Sequence, residues 1–463
     1  MCTFGKNISM KQFFLFLISF SSFFTKAQDD KTLRSIFDLA LTESEAYENL
    51  RVLCKDIGPR LSGSQQADSA VVWGERILKK LNLDTVYLQK IMVPHWERGK
   101  KEKAYFFNEN GKNMLDVCAL GGSVATGINQ FINGDVIEVN SLDQVNLMED
   151  SLVSGKIIFY NRPMNPKIIS TFSAYGSCVD QRYYGAIEAA KKGAIAVIVR
   201  SMNVRLDNFP HTGSMRYEEN TDSIPAFAIS TNGANYLSEN ISKYGSLRLN
   251  LKSFCKSYPD KISYNVIGEI KGSEFPNEFI TVGGHLDSWD LGEGAHDDGA
   301  GIVQSIEVLH LFNLMNIQPK HSLRVVLFMN EENGNRGGET YAEMAAAENE
   351  RHLMALESDR GGFSPRGFSV NGTLNQLNKI KQWSNLFEPY GIHEFQMGFA
   401  GVDINPLQDG TICLIGLSPD SQRYFDHHHS DNDVFEEVNR RELVLGAASM
   451  TSLIYLIDKY WVL

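Results

Sequence analysis

Apolar positions recur at helical spacing through the early chain. Leu33, Ile36, Leu39 and Leu41, then Val71, Val72, Ile77 and Leu78, predict helices between residue 31 and about residue 85. The stretch Ile57-Gly58-Pro59-Arg60-Leu61-Ser62-Gly63-Ser64 separates them, because neighbouring glycine and proline interrupt a helix. From about 119 to 257 the texture changes to short β-branched runs between turns, such as 135–139 and 156–160. Within it, 184–200 predicts a short helix closed by Gly193 and then a strand of the fully buried type. This middle region reads as a small β-rich domain with one helix. From about 262 onward strands and helices alternate: 279–282 and 323–329 predict central parallel-type strands, with the helix Gly299–Met315 between them. The fold class expected is therefore α/β.

The amino-terminal pattern has a different meaning. Lys6 and Lys11 precede an apolar run from Phe13 to Phe24, followed by Ala27 and the polar Gln28-Asp29-Asp30. This predicts a signal peptide over residues 1–27 and a secreted or periplasmic chain, since the run is too short to span a membrane and no later segment is long and apolar enough. Composition narrows the function classes. The 463 residues are 43% hydrophobic and carry 44 basic against 56 acidic side chains, a formal charge of −12, which argues against nucleic-acid or anionic-lipid binding. The cysteines are scattered, without a CxxC pair, so neither a disulfide framework nor a thiolate zinc site is expected, although one disulfide remains open.

The acids cluster where an α/β sheet places reactive groups, at the ends of predicted strands. Gly283-Gly284-His285-Leu286-Asp287 follows the first strand, and His296-Asp297-Asp298-Gly299 opens the next helix. Asp297 and Asp298 also suit a plain helix cap. Glu331-Glu332 follows the second strand, Glu357-Ser358-Asp359 follows another apolar run, and the tail carries Asp426-His427-His428-His429-Ser430-Asp431-Asn432-Asp433. Taken singly, each of these also fits a solvated turn. Together they supply imidazoles and carboxylates in the mix that suits a pair of divalent zinc ions, with one bridging carboxylate and terminal ligands on each side. Adjacent glutamates project in different directions, so one can bind metal while its neighbour faces the reacting water.

These motifs resemble the co-catalytic zinc exopeptidases of the bacterial leucyl aminopeptidase and glutamate carboxypeptidase family. One branch of that family is similar across 57–64, Val93-Pro94-His95-Trp96-Glu97-Arg98-Gly99, His211-Thr212-Gly213 and 285–290, which together span the mature chain. The resemblance implies a three-layer catalytic domain with a mixed central sheet, formed by 28–118 and 258–463, and an inserted protease-associated domain at 119–257. It implies His285 and Asp359 as ligands of one zinc, Glu332 and His429 of the second, and Asp297 as the bridge. Glu331 matches the general base, and Asp287 the acid that orients the histidine of its own motif. The final motif reads His429-Ser430-Asp431-Asn432-Asp433-Val434 where the family usually ends in Thr, and His429 is chosen over His427 and His428 by the Ser430 that follows it. His296 reads as a rim residue. The implied substrate is a short peptide or dipeptide with free ends, and the implied assembly a homodimer. Aminopeptidase, carboxypeptidase and dipeptidase activity all stay open, as do divalent metals other than zinc. A noncatalytic receptor-like member of the same fold, or a glutaminyl cyclase, would share the architecture.

Overall fold

The structure, a computed structural model, describes residues 28–127 and 130–461. The expected signal peptide, residues 1–27, lies outside the described residues. Two eight-stranded mixed sheets organise the chain. The first runs, in spatial order, Thr85–Glu97, Lys256–Ile270, His321–Phe328, Phe275–His285, Arg351–Glu357, Cys413–Pro419, Pro365–Asn371 and Glu394–Met397. Its middle four strands are parallel, and the strands flanking them are antiparallel.

Burial on both faces explains the continuous apolar runs. Val325 and Leu327 enter the large core beneath the helices, while Val326 and Phe328 enter a second core against Tyr341, Ala345 and Ile404. The helix Ala300–Leu314 is buried on nearly every side, as its almost unbroken apolar sequence requires. It packs against the carboxy-terminal helix Arg440–Tyr460. Early helices occupy 28–43, Ala46–Arg51 and Gln65–Lys80, the first starting three residues ahead of the expected interval.

The second sheet draws on strands from Lys103–Asn108 to Arg248–Lys252. It therefore begins well ahead of residue 119, where the sequence texture changes. The reason is non-local pairing: Val117–Ala119 joins Ala226–Ile229, and Lys103–Asn108 joins Arg248–Lys252, neither of which leaves a local periodicity. The unit is also richer in helix than expected. Its parallel strands Ile157–Tyr160, Ala196–Arg200 and Ala226–Ile229 need crossover connections, which Asp180–Lys191 and other helices supply. Cys54, Cys118, Cys178, Cys255 and Cys413 are buried and unpaired, so the single disulfide left open by the sequence does not form among the described residues.

Candidate active site

Adjacent parallel strands deliver the candidate groups to one edge. His285 is the last residue of its strand and pairs in register with Phe328, three residues before Glu331. Gly283 pairs with Glu357, two residues before Asp359. His429 comes from the loop beyond Cys413–Pro419. The four chain segments converge on Asp297. Its Oδ1 lies 3.2 Å from His285 Nε2, which is 3.4 Å from Asp359 Oδ1. Its Oδ2 lies 3.3 Å from His429 Nε2, which is 3.2 Å from Glu332 Oε2. One carboxylate thus serves two imidazole–carboxylate pairs. His428 stacks on His429 with ring centroids 3.5 Å apart and reaches Asp297 Oδ2 only at 3.8 Å.

Electrostatics in this cluster are unbalanced. Burial and the Asp297 charge push Glu332 up to about 7. Burial also raises Glu331 far above the usual carboxylate range, with His285 opposing the rise and the nearby Asp359 and Glu332 adding to it. Burial works against a charged His429, yet Glu332 and Asp297 bring it up to about 9. His285 is raised for the same reason by Asp297 and Asp359. Burial works against ionised Asp297 as well, but the hydrogen bond from His285 and the positive charge of His429 hold it far below the usual range. Buried Asp297 Oδ2 lacks a hydrogen-bond partner. Crowded carboxylates, imidazoles aimed inward and an orphaned oxygen form a donor set that divalent cations would satisfy. The groups His285, Asp297, Asp359 and Asp297, His428, His429 each place three ligand atoms close enough to share one ion.

The supporting residues were only partly legible. The Asp287 carboxylate accepts the N–H groups of Asn330 at 2.7 Å, Glu331 at 3.1 Å and Glu332 at 3.4 Å. It stands 3.9 Å from His285 Nδ1, whose partner at 3.0 Å is instead the Asp287 carbonyl oxygen. Asp287 therefore orients its own histidine through the backbone, and its short, fully buried side chain holds the Glu331–Glu332 turn. The two readings of the Asp297–Asp298 pair divide between the residues. Asp298 accepts from Gly301 N–H at 3.0 Å at the helix start and from His285 N–H at 3.0 Å, whereas Asp297 faces the cluster.

Several residues that sequence reasoning left unassigned complete the frame. Asp433 accepts from His296 N–H at 2.7 Å and Asp297 N–H at 3.1 Å. Buried Arg60 donates to the carbonyls of Leu286 at 2.7 Å, Glu293 at 2.7 Å and Gly294 at 3.0 Å, clamping the loop after His285. Its signal was the Pro59-Arg60 pair, which periodicity records only as a helix break. Arg98 joins Asp290 at 2.6 Å to Thr212 Oγ1 at 3.2 Å and so ties that loop to the second-sheet unit. His296 is not at the rim: it is buried, its ring stacks on Phe363 with centroids 4.2 Å apart, and burial carries it down to about 3. Residues 427–429 likewise form a packed wall, with His427 and His428 buried, rather than an exposed run.

A cleft of about 1220 Å³ opens onto the cluster. Glu331, Glu332, Asp359 and His429 line it together with Tyr175, Arg182 and Ser214 of the second-sheet unit. Among the described residues no helix is long and apolar enough to cross a membrane.

Residues 265–450 match the family described as Peptidase family M28. Carboxypeptidase Q of Bos taurus is 33% identical over 428 residues, covering 92% of this chain and 88% of its own length. Aminopeptidase YwaD of Bacillus subtilis is 24% identical over 429 residues, covering 90% of this chain and 85% of its own. The crystal structure of a peptidase M28 precursor from Shewanella amazonensis SB2B superposes with a TM-score of 0.89 at 32% identity, covering 94% of this chain and 98% of that one. The family match, the sequence identity over most of the chain and the close superposition agree, and the chain belongs to peptidase family M28, the zinc exopeptidase family that its motifs resemble.

Proposed function

We propose that the chain is a di-zinc exopeptidase that hydrolyses short peptides and dipeptides with free ends. His285 and Asp359 would hold one ion, Glu332 and His429 the other, and Asp297 both. The observation that carries this reading is the division of Asp297, one oxygen toward each imidazole–carboxylate pair. Bound there, zinc would supply Lewis acidity to the scissile carbonyl and acidify the attacking water to a pKa of about 7. The remaining work falls to the protein's own groups. Glu331 takes the proton from the water and returns it to the departing amine nitrogen. Asp287 holds Glu331 by accepting its N–H, which fixes where that carboxylate can reach. The second-sheet unit is read as an inserted protease-associated domain that contributes Tyr175, Arg182 and Ser214 to the cleft. Residues 1–27 are read as a signal peptide that sends the enzyme to the periplasm or outside the cell, where it works as a homodimer.

The test is a panel of free, N-acetylated and C-amidated dipeptides, given to metal-free protein with zinc, cobalt or manganese restored. Hydrolysis of a free dipeptide that returns on adding two equivalents of zinc is expected. Turnover that survives in the metal-free protein, or saturates at one equivalent, overturns the reading.

A further inference from the structure

We propose that Arg360 binds an acidic side chain on the residue that supplies the scissile carbonyl, which makes the enzyme selective for short peptides with aspartate or glutamate at that position. This deepens the exopeptidase reading and rests on it. Arg360 directly follows the candidate ligand Asp359, is half-buried and lines the cleft. Its Nη2 donates to the Phe399 carbonyl at 2.6 Å and its Nη1 to Ser418 Oγ at 3.1 Å. A guanidinium carries five N–H donors, so three are left without a partner among the described residues. Arg366, which lines the same cleft, is paired with Asp420 at 3.2 Å, whereas Arg360 has no carboxylate within ion-pair distance among the described residues. A guanidinium held partly out of water without an anion is costly, and the cost is relieved when a ligand supplies one.

Pairing with the acid cluster does not account for it. The acids nearest in sequence are engaged elsewhere: Asp359 Oδ1 meets His285 Nε2 at 3.4 Å, and Glu357 accepts the N–H groups of Val402 and Ile404 at 2.9 Å each. One carbonyl and one hydroxyl ask for donors, not for a full positive charge. The surroundings instead suit a side chain with an apolar stem and a charged end. Phe172, Phe399, Ser369 and Gln396 line the cleft with Arg360. The Phe172 ring centre is 5.5 Å from the guanidinium carbon, and Phe399 is 53% exposed. Ser369 Oγ donates to the same Phe399 carbonyl at 2.8 Å, so the loop that receives Arg360 is pinned from a second strand.

The reach fits the residue that supplies the carbonyl. Consecutive Cα atoms stand about 3.8 Å apart, so a guanidinium borne by the neighbour of a metal ligand lies within a side chain's length of a carbonyl held at that metal. The Cα of the residue that supplies this carbonyl is bonded directly to the carbonyl carbon, whereas the leaving residue is set back by its amine nitrogen. A planar fork with free donors pairs with a carboxylate in bidentate fashion, and its charge repels lysine and arginine side chains.

Zinc-loaded wild type, Arg360→Gln and Arg360→Lys would be compared on glutamyl-alanine, glutaminyl-alanine and alanyl-glutamate, with zinc content measured on each protein. Wild type should favour glutamyl-alanine over its amide counterpart by about 10- to 100-fold in kcat/KM, the scale of hydrogen bonds to a charged group. Arg360→Gln should bring that ratio to within about 3-fold of unity with two zinc ions retained, and Arg360→Lys should restore part of the preference. A wild-type ratio near unity, or a ratio that Arg360→Gln leaves unchanged, overturns the assignment while the exopeptidase reading stands. An Arg360-dependent preference for alanyl-glutamate over both other peptides overturns the placement on the residue that supplies the carbonyl. Failure of zinc-loaded wild type to cleave any of the three overturns the exopeptidase reading, and the side-chain assignment with it.

Discussion

Glu331 and Glu332 are neighbours with separate surroundings, and the division of tasks proposed for them comes from what each carboxylate meets. Glu332 Oε2 is 3.2 Å from His429, while Oε1 accepts the Trp289 N–H at 3.1 Å, so both its oxygens are committed. Glu331 lines the cleft and is anchored through its backbone to Asp287. Glu331→Gln should therefore retain two zinc ions by elemental analysis yet lose about 10²- to 10⁴-fold in kcat, the usual contribution of a general base. A zinc-loaded Gln variant with near-normal turnover would remove Glu331 from that role.

The same residues predict how metal uptake depends on pH. His429 is raised from 6.5 to about 9, so in metal-free protein it keeps its proton through neutral pH. Zinc requires the neutral ring, so uptake must expel that proton. Apparent zinc affinity should thus climb as pH rises from about 7 to about 9, roughly tenfold per unit for each proton displaced. Because the folded value is raised, the stabilisation from His429 in metal-free protein is full below 6.5 and disappears as pH rises through about 9. Chelator competition across that window, with proton release followed in two buffers, tests both signs. An affinity flat with pH would contradict them.

At the scale of elements, the site depends on close approach between strand ends and one helix start. A Cβ at Gly301 would fall 1.8 Å from the Ser358 carbonyl oxygen and 2.3 Å from Asp298 Oδ1. Backbone on the Asp359 strand cannot yield there without moving a candidate ligand. Gly301→Ala should cost about 3 kcal/mol, at the upper end of overpacking, and should weaken zinc binding as well. A urea midpoint and zinc content both equal to wild type would show that the strand end is more compliant than this packing implies. A similar contact joins the two sheets: a Cβ at Gly121 would enter the Trp289 ring, 1.8 Å from its nearest atom. Trp289 follows the His285–Asp287 motif, so the second-sheet unit is seated directly on the loop that leads to Asp297.

For the whole molecule, the acid excess noticed in the composition has a location. Asp287, Asp297, Asp298, Glu331, Glu332, Glu357, Asp359 and Asp433 all lie in or around one small cluster. Glu357 is buried and pushed up to about 8 by that burial and by Asp359, while donating no charge to solvent and accepting the N–H groups of Val402 and Ile404 at 2.9 Å each. Such a cluster folds against its own repulsion unless cations enter it. Removing zinc should therefore lower the melting temperature, with about 4 kcal/mol at stake when free zinc stands 1,000-fold above its Kd. Calorimetry before and after chelation, with zinc restored as the control, measures it. A melting temperature indifferent to zinc would place the ions outside the folded core.

The chemistry was written in local motifs. His285, Glu331, Glu332 and Asp359 each follow an apolar run, Asp297 opens the next helix and His429 lies in the tail motif, and strand ends are where an α/β sheet gathers its reactive groups. The alternation of strand-type and helix-type segments after about residue 262 also predicted the helix between the two central strands, because that helix is apolar on all sides and needed only a buried place. What the sequence by itself determined, then, was the α/β class, the zinc exopeptidase resemblance and the candidate residues, since these depend on residue type and near spacing. Tertiary structure alone decided the rest: that the second sheet begins at Lys103, that Asp298 caps while Asp297 faces two imidazoles, that His296 is buried, and that Arg60, Arg98, Arg182 and Asp433 frame the site. Each depends on partners remote in the chain, such as Thr212 with Arg98 or Leu286 with Arg60, and hydrogen bonds of that kind leave no periodicity to read.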